Sequence, residues 1–289
     1  MTISFRSILL MLGFVLIWTI TEAVIAPLLL RHHPFQVVWL HYLMQLGLWV
    51  LIVGLRSPAS LVRTGMPLTQ ILRALCLLLM PVSWAFALQN GVGDAAYAAF
   101  WATPILVILF SALLFGDRLP ALIWSAAVAG GLAGAALFLQ PTNPEGLEWL
   151  AILGMPLSFS LFIVLTRRLK SEPVAANLFY LTVGIVVLIT PAIPAVWMAP
   201  DLQDLLYFLI TGGLSLMALL LLDRAARTAP FAPVAPLLLA PIPMTFALIW
   251  LADFDSIALR TLVLVSGVCL ACAVPILLGV QVLRKKIHS

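Results

Sequence analysis

The sequence predicts an all-α membrane protein, with ten transmembrane helices arranged as two five-helix repeats of inverted topology. First, 64% of the 289 residues are hydrophobic and only 9% are charged, with a mean hydropathy of +1.17. Second, the apolar residues form ten runs long enough to cross a bilayer. Third, the runs of the two halves match in length and position after a shift of 136 residues. Because soluble domains carry about 25% charged residues, this composition excludes a soluble domain.

The ten predicted spans follow one another with short polar connections between them. They are Ile8–Leu30, Phe35–Leu55, Thr69–Gln89, Ala95–Phe115, Leu119–Leu139, Leu147–Thr166, Ala175–Trp197, Leu202–Leu222, Phe231–Ala252 and Ile257–Leu283. The first run is longer than the apolar core of a signal peptide and lacks a small-residue cleavage pattern, so we expect it to be a retained helix. The connections leave no room for a domain outside the membrane.

The charged residues predict the orientation of the spans. With the N-terminus in the cytoplasm, thirteen of the fifteen Lys and Arg residues lie on the cytoplasmic side, including Arg73, and only Arg31 and Arg260 lie outside. The acidic residues assigned to the outer side are Asp94, Glu145, Glu148, Asp201, Asp204, Asp253 and Asp255. This segregation predicts that both termini are cytoplasmic in a bacterial inner membrane. It also argues against nucleic acid as the partner behind the net charge of +4.

The two halves form an internal repeat that divides the chain at residue 143. The shift of 136 residues lays the first run on 144–166 and places Glu22 on Ser158. Five spans per half is an odd number, so the second half (144–289) enters the membrane the other way up from the first (1–143). Inverted repeats of this kind allow a carrier to expose a midplane site alternately to its two sides.

Six stretches, taken in order, resemble the drug/metabolite transporter superfamily, specifically its EamA-type ten-helix carriers. The stretches begin at His33, Arg73, Gly93, Leu114, Ser158 and Arg224 and read HPFQVVWLH, RALCLLL, GDAAYAAFWATP, LFGDRLP, SFSLFIVLTRRL and RAARTAPFAPVAP. The chain departs from the family pattern at His41, where Arg is frequent, and at Leu251-Ala-Asp253, where an acidic Phe-Gly-Glu-like end is usual. The resemblance implies a carrier of small organic metabolites.

Glu22 is the candidate centre of the site, because we predict it to be the one charged residue in the span interiors. A carboxylate at this depth costs about 2.5–3.5 kcal/mol on insertion scales, so we expect it to face a polar cavity or the protein interior. Trp18 lies one turn away on the same helix face. The pair could hold an organic cation by ion pairing and cation–π contact. Alternatively Glu22 carries a proton, or it is a neutral side chain bonded to a neighbouring helix.

Other polar and aromatic residues are candidates for the same site. His41 and Gln45 share a face of the second span, and either a functional role or an interhelical hydrogen bond would explain them. The further candidates for lining the site are Trp84, Tyr97, Trp101 and Ser158. Aromatic side chains in membrane helices also serve as interfacial belts or packing. We expect the first, third, fourth, sixth, eighth and ninth spans to line the site.

Prolines mark where spans could bend. Pro104 in the fourth span and Pro236 and Pro241 in the ninth each lack a backbone donor, which makes them candidates for gating. Gly130 and Gly134 have the spacing of a close-packed helix face. Cys269 and Cys272 lie in an apolar run without the partners of a metal site, so we predict neither metal nor cofactor.

The sequence contains no zinc-protease, phosphate-loop or nucleophile-elbow motif, so we predict a protein that is not an enzyme. Without ATP hydrolysis, uphill transport must draw on a gradient. The predicted function is a secondary active transporter, an exporter or exchanger of an amino-acid-like, cationic or zwitterionic metabolite working by alternating access. The alternatives are an uncoupled facilitative carrier and a non-transporting membrane scaffold. The expected partners are the small-molecule substrate, membrane lipid and protons; the sequence leaves the oligomeric state open.

Overall fold

The computed structural model describes residues 3–252 and 259–287, and the regular structure in these residues is entirely helical. The predicted outer acidic residues Asp253 and Asp255, and the predicted start of the tenth span at Ile257, lie outside the described residues.

Eight helices in the described part of the chain are long and apolar enough to cross a membrane. All the α-helices of the described residues, including the shorter ones, are α1 (Phe5–Leu29), α2 (Pro34–Trp49), α3 (Pro58–Val62), α4 (Pro67–Gln89), α5 (Gly93–Phe100), α6 (Thr103–Phe115), α7 (Ala121–Phe138), α8 (Glu148–Arg168), α9 (Val174–Ile189), α10 (Ile193–Val196), α11 (Leu202–Thr228), α12 (Pro241–Ala252) and α13 (Leu259–Ile287). A π-helical segment, Val50–Gly54, extends α2, and a 3₁₀ turn joins α9 to α10. If the bent pair α5–α6 counts as one span, there are nine. The count of ten remains a prediction.

The fourth predicted span is two helices that meet at an angle of 51° rather than one continuous helix. The break falls at Trp101 and Ala102, and Pro104 is the second residue of α6, a position that needs no amide donor. The Thr103 hydroxyl donates to the Phe100 carbonyl at 2.5 Å across the break. Gly131 of α7 packs here, because a Cβ at this glycine would lie 2.8 Å from the Trp101 carbonyl oxygen. Pro104 therefore begins a helix and does not kink one.

The ninth predicted span also differs from one continuous α-helix. Its first part is a buried 3₁₀ helix, Ala232–Leu239, and its second part is α12. Pro233 and Pro236 supply no amide hydrogen, so a regular α-helical ladder cannot form across this segment.

α11 is longer than predicted and contains a buried aspartate near its C-terminal end. It continues to Thr228 instead of ending at Leu222, so Asp223 lies inside the helix and is fully buried. Its N-terminus carries a capping box, in which the Asp201 carboxylate accepts from the Asp204 amide at 2.7 Å.

The two halves of the chain pack into one bundle. α1 packs most extensively against α11, and α4 against α8, so each of these pairs joins a helix of the first half to one of the second. Gly212 of α11 permits one close approach, because a Cβ there would lie only 2.9 Å from the Gln45 amide nitrogen of α2. Backbone contact at this point places the polar face of α2 directly against α11.

Polar contacts define the two ends of the bundle. One end of the bundle lies near Lys170, and we call it the Lys170 end. There Arg167 of α8 pairs with Asp117, which follows α6, and Arg227 of α11 donates to the Lys170 carbonyl. The opposite end lies near Asp204, and we call it the Asp204 end. There Asp204 of α11 contacts Arg31 at 2.6 Å and His32 at 2.7 Å, and both of these residues lie between α1 and α2.

Candidate functional site

Two adjoining cavities occupy the interior of the bundle and share part of their lining. The larger has a volume of about 330 Å³ and the smaller about 130 Å³. The residues that border both are Trp18, Glu22, Ile25, Val38, Met80 and Pro81. Because the lining is mostly apolar with a few polar groups, the cavities have the character of a small-molecule site.

Glu22 lies between the two cavities. Its carboxylate accepts a 2.9 Å hydrogen bond from the Trp18 indole Nε1, which the four-residue spacing on α1 brings alongside. Thr19 and Thr21 bond back to carbonyls of their own helix, so their hydroxyls already have partners. Among the described side chains, no cation lies within ion-pair distance of Glu22. A cation brought by a ligand would therefore find this carboxylate without a competing basic group.

The Trp18 ring is fixed by other aromatic rings. Its centroid lies 5.0 Å from that of Phe159, 5.9 Å from Phe100 and 5.8 Å from Phe14. These contacts join α1 to α5 and α8, and offset or edge-on packing at such distances stabilises the arrangement. The orientation of the indole toward Glu22 is therefore held from two other helices.

The larger cavity has an aromatic wall that includes Trp84, Tyr97 and Trp101. Tyr97 meets Trp101 edge to face at 5.5 Å, and Trp101 stacks on Phe138 at 6.0 Å. The Trp101 Nε1 is buried and has no hydrogen-bond partner among the described residues. Gly134 of α7 lies behind this ring, since a Cβ there would meet the Trp101 side chain at 3.2 Å.

The smaller cavity is more polar. His41, Tyr42 and Ser215 border it together with Glu22. The Ser215 hydroxyl donates to Gln45 Oε1 at 2.5 Å, joining α11 to α2. His41 Nδ1 and Gln45 Nε2 are buried without partners in the part of the chain that the structure describes.

The structure brings most of the predicted site residues together. Those that border a cavity are Trp18, Glu22, His41, Trp84, Tyr97, Trp101 and Pro241. Gln45 does not border a cavity, but its side chain accepts a hydrogen bond from Ser215, which does. Ser158, Pro104 and Pro236 do not border either cavity. The Ser158 hydroxyl donates to Met155 within its own helix, and the Pro236 carbonyl accepts from the Cys272 thiol at 3.4 Å. The roles of all these residues in binding or gating remain predictions.

Sequence reasoning missed one proline and part of the lining that α2 provides. His41 of α2 is a predicted site residue and borders the smaller cavity, but α2 also borders both cavities through Val38, which is not predicted. Pro81, inside α4, also borders both, and it leaves the Leu77 carbonyl without its usual intrahelical donor. The sequence carries the same signal at Pro81 as at Pro104, since each is a proline inside a predicted span.

The prediction that Glu22 is the one charged residue in the span interiors is wrong. Arg73 lies inside α4 and Asp223 inside α11, and both are completely buried. Asp204, in the first turn of α11, is also buried. These groups tolerate burial because each is hydrogen-bonded or ion-paired with neighbouring helices or loops.

No group of three or more His, Cys, Asp or Glu side chains is close enough to hold a metal ion in the residues described. The chemistry available at the cavities is ion pairing, hydrogen bonding and contact with aromatic faces.

The fold and the cavities fit one class: helical membrane proteins with an internal cavity of the size that holds a small molecule. Two known proteins, both S-adenosylmethionine uptake transporters, are similar to the chain. The Rickettsia bellii protein is 22% identical over 211 residues, and the Rickettsia prowazekii protein is 20% identical over 208 residues. The alignments cover 71% of this chain and 71% and 70% of the two relatives.

Several solved structures share the fold; one of them, a crystal structure, has a TM-score of 0.81 and 19% identity and covers 96% of this chain and 99% of that one. No protein-family model matches the chain. The transporter relatives and the many apolar helices support an integral membrane transporter for a small molecule.

Proposed function

We propose that the chain is a secondary transporter for a small organic metabolite with a positively charged centre, and that S-adenosylmethionine is the first candidate. The observation that carries this proposal is Glu22, a carboxylate that borders both cavities and is held by the Trp18 indole at 2.9 Å. The names of the two relatives supply the particular candidate.

The chemistry of the cavities suits such a ligand. A sulfonium or ammonium group beside Glu22 would gain ion pairing in a mostly apolar cavity and would lie near the Trp18 ring. Contact of a cation with an indole face contributes about 0.5–2 kcal/mol, more as water is excluded. The aromatic wall of Trp84, Tyr97 and Trp101 offers surfaces on which a flat ring such as adenine could stack.

The transport cycle is part of the proposal. Ten spans in two inverted repeats, 1–143 and 144–289, would let the halves expose the cavities alternately to the two sides, as in the EamA-type carriers that the chain resembles. Both termini would then be cytoplasmic, and a gradient would drive any uphill movement, as exchange or as proton coupling through Glu22. Uncoupled facilitated diffusion is the second candidate function, and it differs in ignoring a pH gradient.

Uptake into proteoliposomes tests this function. Purified protein is reconstituted, and entry of radiolabelled S-adenosylmethionine is compared with entry into protein-free liposomes. We expect saturable, protein-dependent entry, inhibited weakly by S-adenosylhomocysteine, which keeps the adenosine and amino-acid groups but lacks the sulfonium charge. Absence of protein-dependent flux for S-adenosylmethionine and for a panel of other organic cations, in both directions, would contradict the proposal.

A further inference from the structure

A second polar cluster lies beside the smaller cavity and has no part in the binding site described above. We call it the closing network and define it as Arg73, Thr166, Asn177, Asp223 and Arg227. Of these, Arg73, Thr166, Asn177 and Asp223 are completely buried. Each residue comes from a helix, and four helices take part: α4, α8, α9 and α11.

Hydrogen bonds connect the network without a gap. Arg73 donates from Nε to Thr166 Oγ1 at 3.0 Å and from Nη1 to the Asn177 carbonyl at 3.2 Å. Asn177 Nδ2 donates to Asp223 Oδ1 at 2.8 Å, and Arg227 Nε donates to Asp223 Oδ2 at 2.6 Å. The chain of bonds therefore runs from α4 of the first half to three helices of the second half.

The network lies one helical turn beyond the lining of the smaller cavity. Leu77, Phe162 and Leu219 border that cavity, and each stands four residues from a network member on the same helix: Arg73, Thr166 and Asp223 respectively. Four residues correspond to about 6 Å along a helix. The Arg73 guanidinium lies 5.3 Å from the centroid of the Phe162 ring. The network is thus the next layer of side chains after the cavity floor.

The bonds continue from this buried layer to the surface at the Lys170 end. Arg227 donates to the carbonyls of Lys170 and Glu172, both at 2.6 Å. The Glu172 carboxylate in turn accepts from the Thr64 hydroxyl at 2.7 Å and the Gly65 amide at 2.8 Å. Connections from both halves of the chain are therefore tied together over the cavity at this end.

The opposite end is arranged differently. The larger cavity reaches Leu29, the last residue of α1, and Pro34, the first residue of α2. The contacts of Asp204 with Arg31 and His32 at that end join α11 to the connection between α1 and α2 and do not reach α4. The larger cavity therefore extends toward the Asp204 end, whereas the network covers the smaller cavity at the Lys170 end.

We propose that the closing network is the gate of the binding cavity at the Lys170 end, and that α4 must separate from α8, α9 and α11 there for substrate to pass. This proposal rests on the proposed function. A buried set of charges is a suitable gate, because its hydrogen bonds are strong when all partners meet and its members are readily hydrated once they part. Apolar packing alone would also seal the cavity, but apolar side chains would not be stabilised by water once the helices had parted.

A cysteine-labelling experiment tests the gate without measuring flux. The reporter is Ala218→Cys, which borders the smaller cavity, in a chain whose three cysteines are replaced by alanine. Membrane-impermeant thiol reagent is applied to each side of sealed vesicles, and a separate Ser171→Cys chain identifies the Lys170 end. With the network intact, we expect labelling from the Asp204 end. With Asp223→Asn, labelling from the Lys170 end should become roughly tenfold faster.

Two further variants keep the outcome decisive. Asp204→Asn is the matched control, since it removes a buried carboxylate of the same helix at the other end, and it should leave labelling from the Lys170 end unchanged. Arg227 is partly exposed, so Arg227→Gln is less disruptive to folding. It should also speed labelling from the Lys170 end, by a smaller factor than Asp223→Asn, and it provides the test if Asp223→Asn does not fold. Unchanged labelling in the folded network variants would overturn the gate. Because labelling requires no substrate, a failure of the proposed function appears separately, as absent uptake in the unsubstituted protein.

Discussion

The indole Nε1 of Trp18 donates a 2.9 Å hydrogen bond to the Glu22 carboxylate, one turn further along α1. This bond lies where two cavities meet, and Phe159 and Phe100 hold the Trp18 ring in place. A carboxylate oriented by a neutral donor keeps its charge available for a ligand, whereas an arginine or lysine partner would compete with the ligand for it.

Trp18→Phe tests that orientation. The substitution keeps an aromatic ring beside Phe159 but removes the donor to Glu22. Because a hydrogen bond to a charged group contributes about 1.5–3 kcal/mol, we expect the KM for transported cation to rise by roughly tenfold or more. Uptake kinetics in proteoliposomes measure this KM. The control is Trp149→Phe, because Trp149 is an exposed tryptophan. Equal KM values for the two variants would contradict an orienting role.

Ser215→Ala is expected to destabilise the contact between α11 and α2. The hydroxyl is the donor to Gln45 Oε1, and its removal leaves a buried amide oxygen without this partner. Such a group costs about 1–3 kcal/mol, so the Tm of the purified protein should fall. Ser125→Ala, which removes an exposed hydroxyl bonded within α7, is the control and should leave Tm nearly unchanged. Equal Tm values for both variants would argue against this contact.

Gly212→Ala and Gly213→Ala form a matched pair on α11. A Cβ at Gly212 would lie 2.9 Å from the Gln45 amide nitrogen, whereas a Cβ at Gly213 would meet only Leu48, at an ordinary 3.7 Å. Replacing glycine by alanine inside a helix otherwise favours folding by about 1 kcal/mol.

We therefore expect Gly213→Ala to raise Tm slightly, and Gly212→Ala to lower Tm and impair uptake by forcing α2 away from α11. Thermal unfolding and proteoliposome uptake of the two variants provide the measurements. A rise in Tm for Gly212→Ala would show that the helices are not in backbone contact at this point.

Trp84→Ala probes the aromatic wall of the larger cavity. Loss of the indole removes a stacking surface and widens the cavity, so affinity for an adenosine-bearing cation should fall. Affinity for a cation without an aromatic ring should change little. Ligand-induced shifts in Tm, compared for the two kinds of ligand, measure the difference. Equal losses for both ligands would argue against a role in ring recognition.

The features that sequence reasoning found are local ones. Trp18 and Glu22 are four residues apart on one apolar run, so helical periodicity alone places them side by side. The interior prolines likewise indicated irregularity in the ninth span, where the structure has a 3₁₀ helix.

Other features that it missed depend on distant parts of the chain. Arg73 lies in the first turns of its predicted span and looks like a charge at the membrane surface, yet its partner Asn177 lies 104 residues away. Its burial is favourable only because α8 and α9 bring acceptors to it, and a single sequence does not reveal that packing. The sequence likewise indicates the polar face of α2 but not its partner, because the contact with α11 depends on the close approach at Gly212.

The central claim is that Glu22 provides the negative charge that binds the substrate cation. Glu22→Gln keeps the size of the side chain and removes the charge, and Glu145→Gln makes the same change at an exposed carboxylate away from the cavities. The measurement is the rise in Tm that S-adenosylmethionine and other organic cations produce in each variant, together with uptake. We expect Glu145→Gln to retain both and Glu22→Gln to lose both while remaining folded. Full retention of cation binding and uptake by Glu22→Gln would contradict the account.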